Sequence, residues 1–183
     1  MIEAWRKISS TLKGDYRVFS VRQDRKVSPR TGVEHDFFVI DTTNWVNIIA
    51  ITREEQIVFV EQYRHGSGTV ELELPGGVMD AGDNSPEATA CRELLEETGY
   101  EARNPQVIGK VFPNPAIMNN SCFTVVANDC RYVKPVQFDH AEDLATRLVP
   151  IAEAPQLVAA GKVRHALMVA ALYEFDLWRR ANS

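Results

Sequence analysis

The stretch Ser85-Pro86-Glu87-Ala88-Thr89-Ala90-Cys91-Arg92-Glu93-Leu94-Leu95-Glu96-Glu97-Thr98-Gly99-Tyr100 has the features of a short helix with both ends marked. Ser85 suits the N-cap, where its hydroxyl can accept from a free backbone N–H, and Pro86 suits the first helical position, where no N–H is needed. Gly99 supplies the left-handed residue that ends a helix. Glu93, Glu96 and Glu97 are spaced i, i+3, i+4, so their carboxylates fall on one stripe about 100° wide. Like charges placed this way cost an isolated helix roughly 0.2–0.5 kcal/mol per pair. Arg92, one turn before Glu96, offsets part of that. A helix that gathers negative charge on one stripe is either a solvated acidic face or a holder of something cationic.

The residues just upstream favour the second reading. Val70-Glu71-Leu72-Glu73-Leu74-Pro75-Gly76-Gly77-Val78-Met79-Asp80 is expected to form a strand, a Pro-Gly-Gly turn and a loop entering the helix. Glycines without Cβ let backbone approach a ligand closely, and their carbonyl oxygens can join carboxylates around a metal ion.

With these residues in view, the sequence resembles the Nudix hydrolases. Their signature is Gly, five residues, Glu, seven residues, then Arg-Glu-apolar-x-Glu-Glu-x-Gly-apolar. Gly77 and the run Arg92–Tyr100 supply its two ends. Fourteen residues separate Gly77 from Arg92 where the signature has thirteen, and Asp83 or Asn84 stands where the family has Glu. The departure reads as a one-residue insertion before the helix; it leaves the helical carboxylates in register and the role of Asp83 open. The resemblance implies a mixed α/β fold, an α/β/α sandwich around a mixed sheet. It also implies an N-terminal antiparallel β extension over residues 1–44 that builds a homodimer, followed by the hydrolase domain at 45–183.

Composition sets independent bounds. The 183 residues suffice for a sizeable core, with 45% hydrophobic and 25% charged residues. A net charge of −5 argues against nucleic acid or an anionic membrane as partner. An acidic protein handling an anionic substrate must import positive charge, and a divalent cation is the obvious source. Cys91, Cys122 and Cys130 lack metal-site spacing and read as reduced thiols of a cytoplasmic protein. Cys91 is either a small buried helix residue or a reactive thiol. No apolar h-region opens the chain, and no run reaches the ~20 apolar residues of a membrane span.

β-rich stretches at 16–26 and 35–41, split by Ser28-Pro29-Arg30-Thr31-Gly32, predict an N-terminal hairpin. Further strands are expected at 46–51, 57–63, 106–111, 122–127 and 144–150. The chain then turns helical: a short helix at 155–160 ends at Gly161, and Met168, Leu172 and Phe175 form an apolar stripe flanked by Trp178. The segment Pro113-Asn114-Pro115-Ala116-Ile117-Met118-Asn119-Asn120 is too rich in proline and asparagine for a regular element.

The resemblance narrows to the branch acting on ADP-ribose and other nucleoside diphosphate sugars. It is carried by Trp45-Val46-Asn47, Gln62-Tyr63-Arg64-His65-Gly66, Glu73-Leu74-Pro75-Gly76-Gly77 and the 113–120 segment. That branch implies Arg64 on substrate phosphate or sugar, Glu73 on the nucleoside side, and the Gly76 carbonyl with Glu93, Glu96 and Glu97 around Mg²⁺, with Mn²⁺ a substitute. Asn119 and Asn120 would offer amides to sugar or phosphate. Arg92 would orient the glutamates. A carboxylate in an acidic loop, placed at Glu142 with Asp139, His140 and Asp143 as alternatives, would activate water. The expected reaction is hydrolysis of a pyrophosphate bond. Rival readings are another Nudix substrate, a GDP-sugar or dinucleoside polyphosphate, and a catalytically silent nucleotide-sugar sensor. An arginine in a surface ion pair is the bland alternative for Arg64.

Overall fold

The computed structural model describes residues 1–136 and 143–182. The chain divides into two compact units. The first comprises Met1–Thr43 with Phe112–Ser121, the second Asn44–Val111 with Cys122–Ser183.

The second unit is built on a mixed sheet. Its strands are β4 (Trp45–Thr52), β5 (Gln56–Arg64), β6 (Thr69–Glu73), β7 (Gly76–Val78), β8 (Tyr100–Val111), β9 (Cys122–Tyr132) and β10 (Leu144–Pro150). The main path runs β10-β5-β4-β9-β8, with β6 on β5 and β7 on β4. β4 and β9 are parallel and the other pairs antiparallel. Strand side chains alternate between faces, and both faces are buried, so the central strands are mostly apolar, with Asn47 and Thr124 as buried polar exceptions. Val46, Ile48, Ala50, Val58, Val125 and Ala127 point to one side, where they meet Ala90 and Leu94 of helix α1 (Pro86–Thr98). Ile49, Ile51, Ile57, Phe59 and Val126 point to the other. There they pack on Ala154 of α2 (Ala154–Ala159) and on Leu167, Met168, Ala171 and Phe175 of α3 (Ala166–Ala181). Each fully buried leucine or isoleucine contributes about 1.5–3 kcal/mol. The result is the expected α/β/α sandwich.

α1 has the ends its sequence announces. The Ser85 hydroxyl accepts from the Ala88 N–H, and Gly99 closes the helix at φ 72° with its N–H on the Leu95 carbonyl. The expected Pro-Gly-Gly turn does not form. Gly76 and Gly77 instead begin β7, with Gly76 opposite Asn47, Gly77 opposite Val46 and Val78 opposite Trp45. This demands glycine, because a Cβ on Gly76 would lie 2.1 Å from the Val46 carbonyl oxygen.

The first unit is an antiparallel sheet of β1 (Arg6–Asp15), β2 (Ser20–Val27) and β3 (Glu34–Asp41). The expected hairpin is therefore extended by a strand that hydrophobic patterning does not reveal, since β1 is almost wholly exposed. The 113–120 segment is irregular, as its composition requires, and joins this unit through an Ile40–Met118 bridge and the Ile40 N–H on the Ile117 carbonyl. Among the described residues no helix is long and apolar enough to cross a membrane.

Candidate active site on the acidic helix

Two glycines and one arginine arrange the acidic stripe of α1. β7 runs against the helix so closely that a Cβ on Gly77 would lie 2.5 Å from a Glu93 carboxylate oxygen. Next to it the Gly76 N–H donates to Glu97 Oε2 at 3.1 Å. The Gly76–Gly77 backbone is thus brought against two carboxylates, and carboxylate and carbonyl oxygens are the donors that suit Mg²⁺ or Mn²⁺. Burial raises the Glu93 carboxyl above its ordinary range, with the Arg92 charge opposing. Glu96, by contrast, is more than half exposed.

Arg92 is the counter-charge. Its Nη1 lies 3.0 Å from both Glu93 Oε1 and Glu96 Oε2, while Nη2 donates to Asp83 Oδ2 at 3.1 Å and to the Val78 carbonyl at 3.2 Å. Asp80 is 3.6 Å away. The same Asp83 oxygen accepts from the Asp80 N–H at 3.0 Å and the Thr89 hydroxyl at 2.9 Å. The guanidinium of Arg92 and these two donors pull the Asp83 carboxyl down to about 2. Asp83 in turn drives Arg92 further above its already high value. With Glu93 and Glu96 on Arg92 and Glu97 on Gly76, no three acidic, histidine or cysteine side chains among the described residues are gathered as an ion would require. The carboxylates suit a divalent cation by their chemistry, while in this arrangement Glu93 and Glu96 lie on Arg92 and Glu97 on the Gly76 N–H.

A second charged pair lies on the neighbouring strands. Arg64 donates from Nε to Glu73 Oε1 at 2.9 Å and from Nη2 to Glu73 Oε2 at 2.7 Å. Glu73 is completely buried and Arg64 half exposed. The carboxylate holds the Arg64 charge firmly, and the charge of Glu97 reinforces it.

Residues 42–172 match the NUDIX domain. An ADP-ribose pyrophosphatase from Mycobacterium tuberculosis is 32% identical over 164 residues, covering 89% of this chain and 79% of the relative. The chain belongs to the NUDIX family. An ADP-ribose pyrophosphatase from Bacillus subtilis is 29% identical over 133 residues, 72% of this chain and 71% of that one. The crystal structure of an ADP compounds hydrolase superposes with a TM-score of 0.88 over 100% of this chain and 98% of that chain. At 23% identity that likeness speaks for the fold.

Within the NUDIX signature the extra residue before α1 is absorbed in the loop 79–84, which lies between β7 and the Ser85 cap. Asp83, left without a role by spacing alone, is the buttress of Arg92. Asn84 makes no such contact among the described residues. Arg64 and Glu73, expected separately at the substrate, are brought together. Asn119 and Asn120 belong to the first unit. Asn119 accepts from the Thr42 N–H and donates to Asp41, and Asn120 donates to the Thr43 carbonyl at 3.1 Å. Glu142, Asp139 and His140 lie outside the described residues; Asp143 is exposed at the foot of β10. Cys91 is half-buried, and burial followed by the nearby Glu87 charge raises its thiol, as suits a packing residue rather than a nucleophile.

The Asp83 carboxyl has a definite pH signature. Its folded value of about 2 lies below its ordinary 3.8, so the stability it contributes is complete above 3.8 and is lost as pH falls toward 2. In urea unfolding, the stability gap between the natural protein and Asp83→Asn should be constant at neutral pH. It should narrow below about pH 4 and close near pH 2. A gap that is absent at pH 6, or that persists unchanged to pH 2, removes Asp83 as the anchor of Arg92.

Proposed function

We propose that the chain hydrolyses the pyrophosphate bond of ADP-ribose or a related nucleoside diphosphate sugar, giving a nucleoside monophosphate and a sugar phosphate. The observation that carries this is the pressing of the Gly76-Gly77 backbone onto Glu93 and Glu97 within a NUDIX chain. The names of its relatives supply the substrate class.

Glu93, Glu96, Glu97 and the Gly76 carbonyl would hold Mg²⁺, or Mn²⁺ in its place. Such a cation, when bound, supplies positive charge to the diphosphate and acidifies water. The protein's own residues do the rest. Arg92, fixed by Asp83, limits where the glutamates can swing. Arg64 presents the free part of a planar guanidinium to phosphate or sugar oxygens, and Glu73 keeps that plane oriented. Glu142 is proposed to take the proton of the attacking water. The amides of Asn119 and Asn120 are proposed, on the family resemblance alone, as donors to sugar or phosphate. A GDP-sugar or a dinucleoside polyphosphate would use the same groups. A silent sensor would have no need for the whole carboxylate stripe of α1.

The first unit is proposed to build a homodimer. Trp5, Ile8, Leu12, Phe37 and Phe38 are exposed on its sheet, and Trp5 and Phe37 stack edge-to-face at 5.3 Å. Phe37 and Leu12 lie on one face of the sheet and Phe38 on the other, and exposed apolar residues of this kind are what a second copy would cover. Three free cysteines, two of them buried, support a reducing cytoplasmic location.

Two measurements test this reading. Glu97→Gln should lower kcat on ADP-ribose by about 10²-fold or more, with the fold intact by circular dichroism, because it removes charge that the reaction needs held in place. Turnover near that of the natural protein at saturating Mg²⁺ would refute the assignment of the stripe. Light scattering at micromolar concentration should give twice the 20.6 kDa chain mass, and a monomer mass would refute the dimer.

A further inference from the structure

β6 carries two buried carboxylates on one face, two residues apart: Glu71, 8% exposed, and Glu73, fully buried. Each is clasped by an arginine in the same way. Arg64 uses Nε and Nη2 on Glu73. Arg164, from the loop that enters α3, uses Nε on Glu71 Oε2 at 3.3 Å and Nη2 on Glu71 Oε1 at 2.6 Å. In both arginines Nη1 has no hydrogen-bond partner among the described residues, and the side chains are 46% and 54% exposed. The Thr69 hydroxyl, 2.5 Å from Glu71 Oε1, steadies the second clasp. Thr69 and Arg164 together hold the Glu71 carboxyl below its ordinary range. His165 follows directly, its Nδ1 3.7 Å from Glu73 Oε2. Buried Val163 anchors this loop, with its N–H on the Leu157 carbonyl.

Burying carboxylates is costly, and an ion pair at best repays that cost. Two such clasps side by side are a poor way to stabilise a sheet. They are a good way to fix two guanidinium planes before a ligand arrives, which removes the entropy of ordering them on binding. Their order along the strand is set by register. Glu97 bonds Gly76 and its charge reaches Arg64. Arg164 sits on Glu71, one strand step of roughly 6–7 Å further from Gly76.

We propose that Arg164 is a second substrate-reading arginine. It would bind oxygen acceptors of the nucleoside diphosphate sugar beyond the reach of Arg64, outside the diphosphate itself. This rests on the substrate reading above. Glu71 is its positioning residue, as Glu73 is for Arg64. A bare diphosphate fills the site only as far as Arg64, whereas a whole nucleotide sugar extends to Arg164.

Calorimetric titration of the full chain with Mg²⁺ tests this with two non-hydrolysable probes, methylenediphosphonate and α,β-methylene-ADP-ribose. Arg164→Lys keeps the ion pair to Glu71 and should keep the melting temperature. Its single ammonium, engaged by Glu71, has no second edge for a ligand. It should weaken the nucleotide-sugar probe about tenfold, the worth of one hydrogen bond to a charged group, and leave methylenediphosphonate unchanged. Arg164→Ala should do the same, with some loss of stability. Unchanged affinity for the nucleotide-sugar probe in both variants would leave Arg164 as a structural pin and overturn the proposal. Equal weakening of both probes would overturn the assigned order along β6. If the natural protein binds methylenediphosphonate but not the nucleotide-sugar probe, the substrate reading itself falls, and Arg164 with it.

Discussion

The repulsion among Glu93, Glu96 and Glu97 is the constraint to which the rest of the second unit answers. Among three carboxylates on one helical stripe, Glu93, largely desolvated against Gly77, and Glu96 face the Arg92 guanidinium, and Glu97 accepts from the Gly76 amide. Arg92 can serve two of them only because Asp83 fixes its other nitrogen. Asp83 is itself fixed by Thr89 inside the helix it precedes. The loop, the helix and β7 therefore form one interlocked device. Gly76 tolerates no side chain, since it meets the β4 backbone, and a side chain on Gly77 would push the Glu93 carboxylate aside. A helix designed for stability alone would not be built this way. In the proposed function a divalent cation would take over from arginine.

Away from the acidic stripe, the structure repeats one tactic, in which a buried carboxylate orients an arginine that remains open on another edge. Glu73 does so for Arg64 and Glu71 for Arg164. Neither glutamate has the exposure to meet a ligand itself. The direction of both arginines is thus set from the core, and the proposed substrate contacts would use edges fixed in this way.

Much of this was legible in the sequence, and where it was not, the reason is physical. α1 was readable to the residue because its cap, first-turn proline and terminal glycine are local signals. The central strands were readable because a sheet covered on both faces needs continuous apolar runs. β1 was not, since an exposed strand of Lys, Ser and Thr has no hydrophobic pattern and is ordered by pairing with β2. β7 was expected as a turn because glycine pairs usually bend the chain, while here they permit a close approach to β4. The clasp of Arg64 by Glu73 and that of Arg164 by Glu71 join residues 9 and 93 positions apart. Tertiary pairings of this kind leave no trace in local spacing.

The central claim is that charge develops on a diphosphate held between the carboxylate stripe and Arg64, so that a phosphorus and not a sugar carbon is attacked. Hydrolysis of ADP-ribose in ¹⁸O-labelled water, with the products resolved by mass spectrometry, tests it most directly. The account predicts AMP and ribose 5-phosphate only, with the label in the phosphate of AMP. Label in ribose 5-phosphate would move the attack to the other phosphorus, and free ribose with ADP would contradict the account outright.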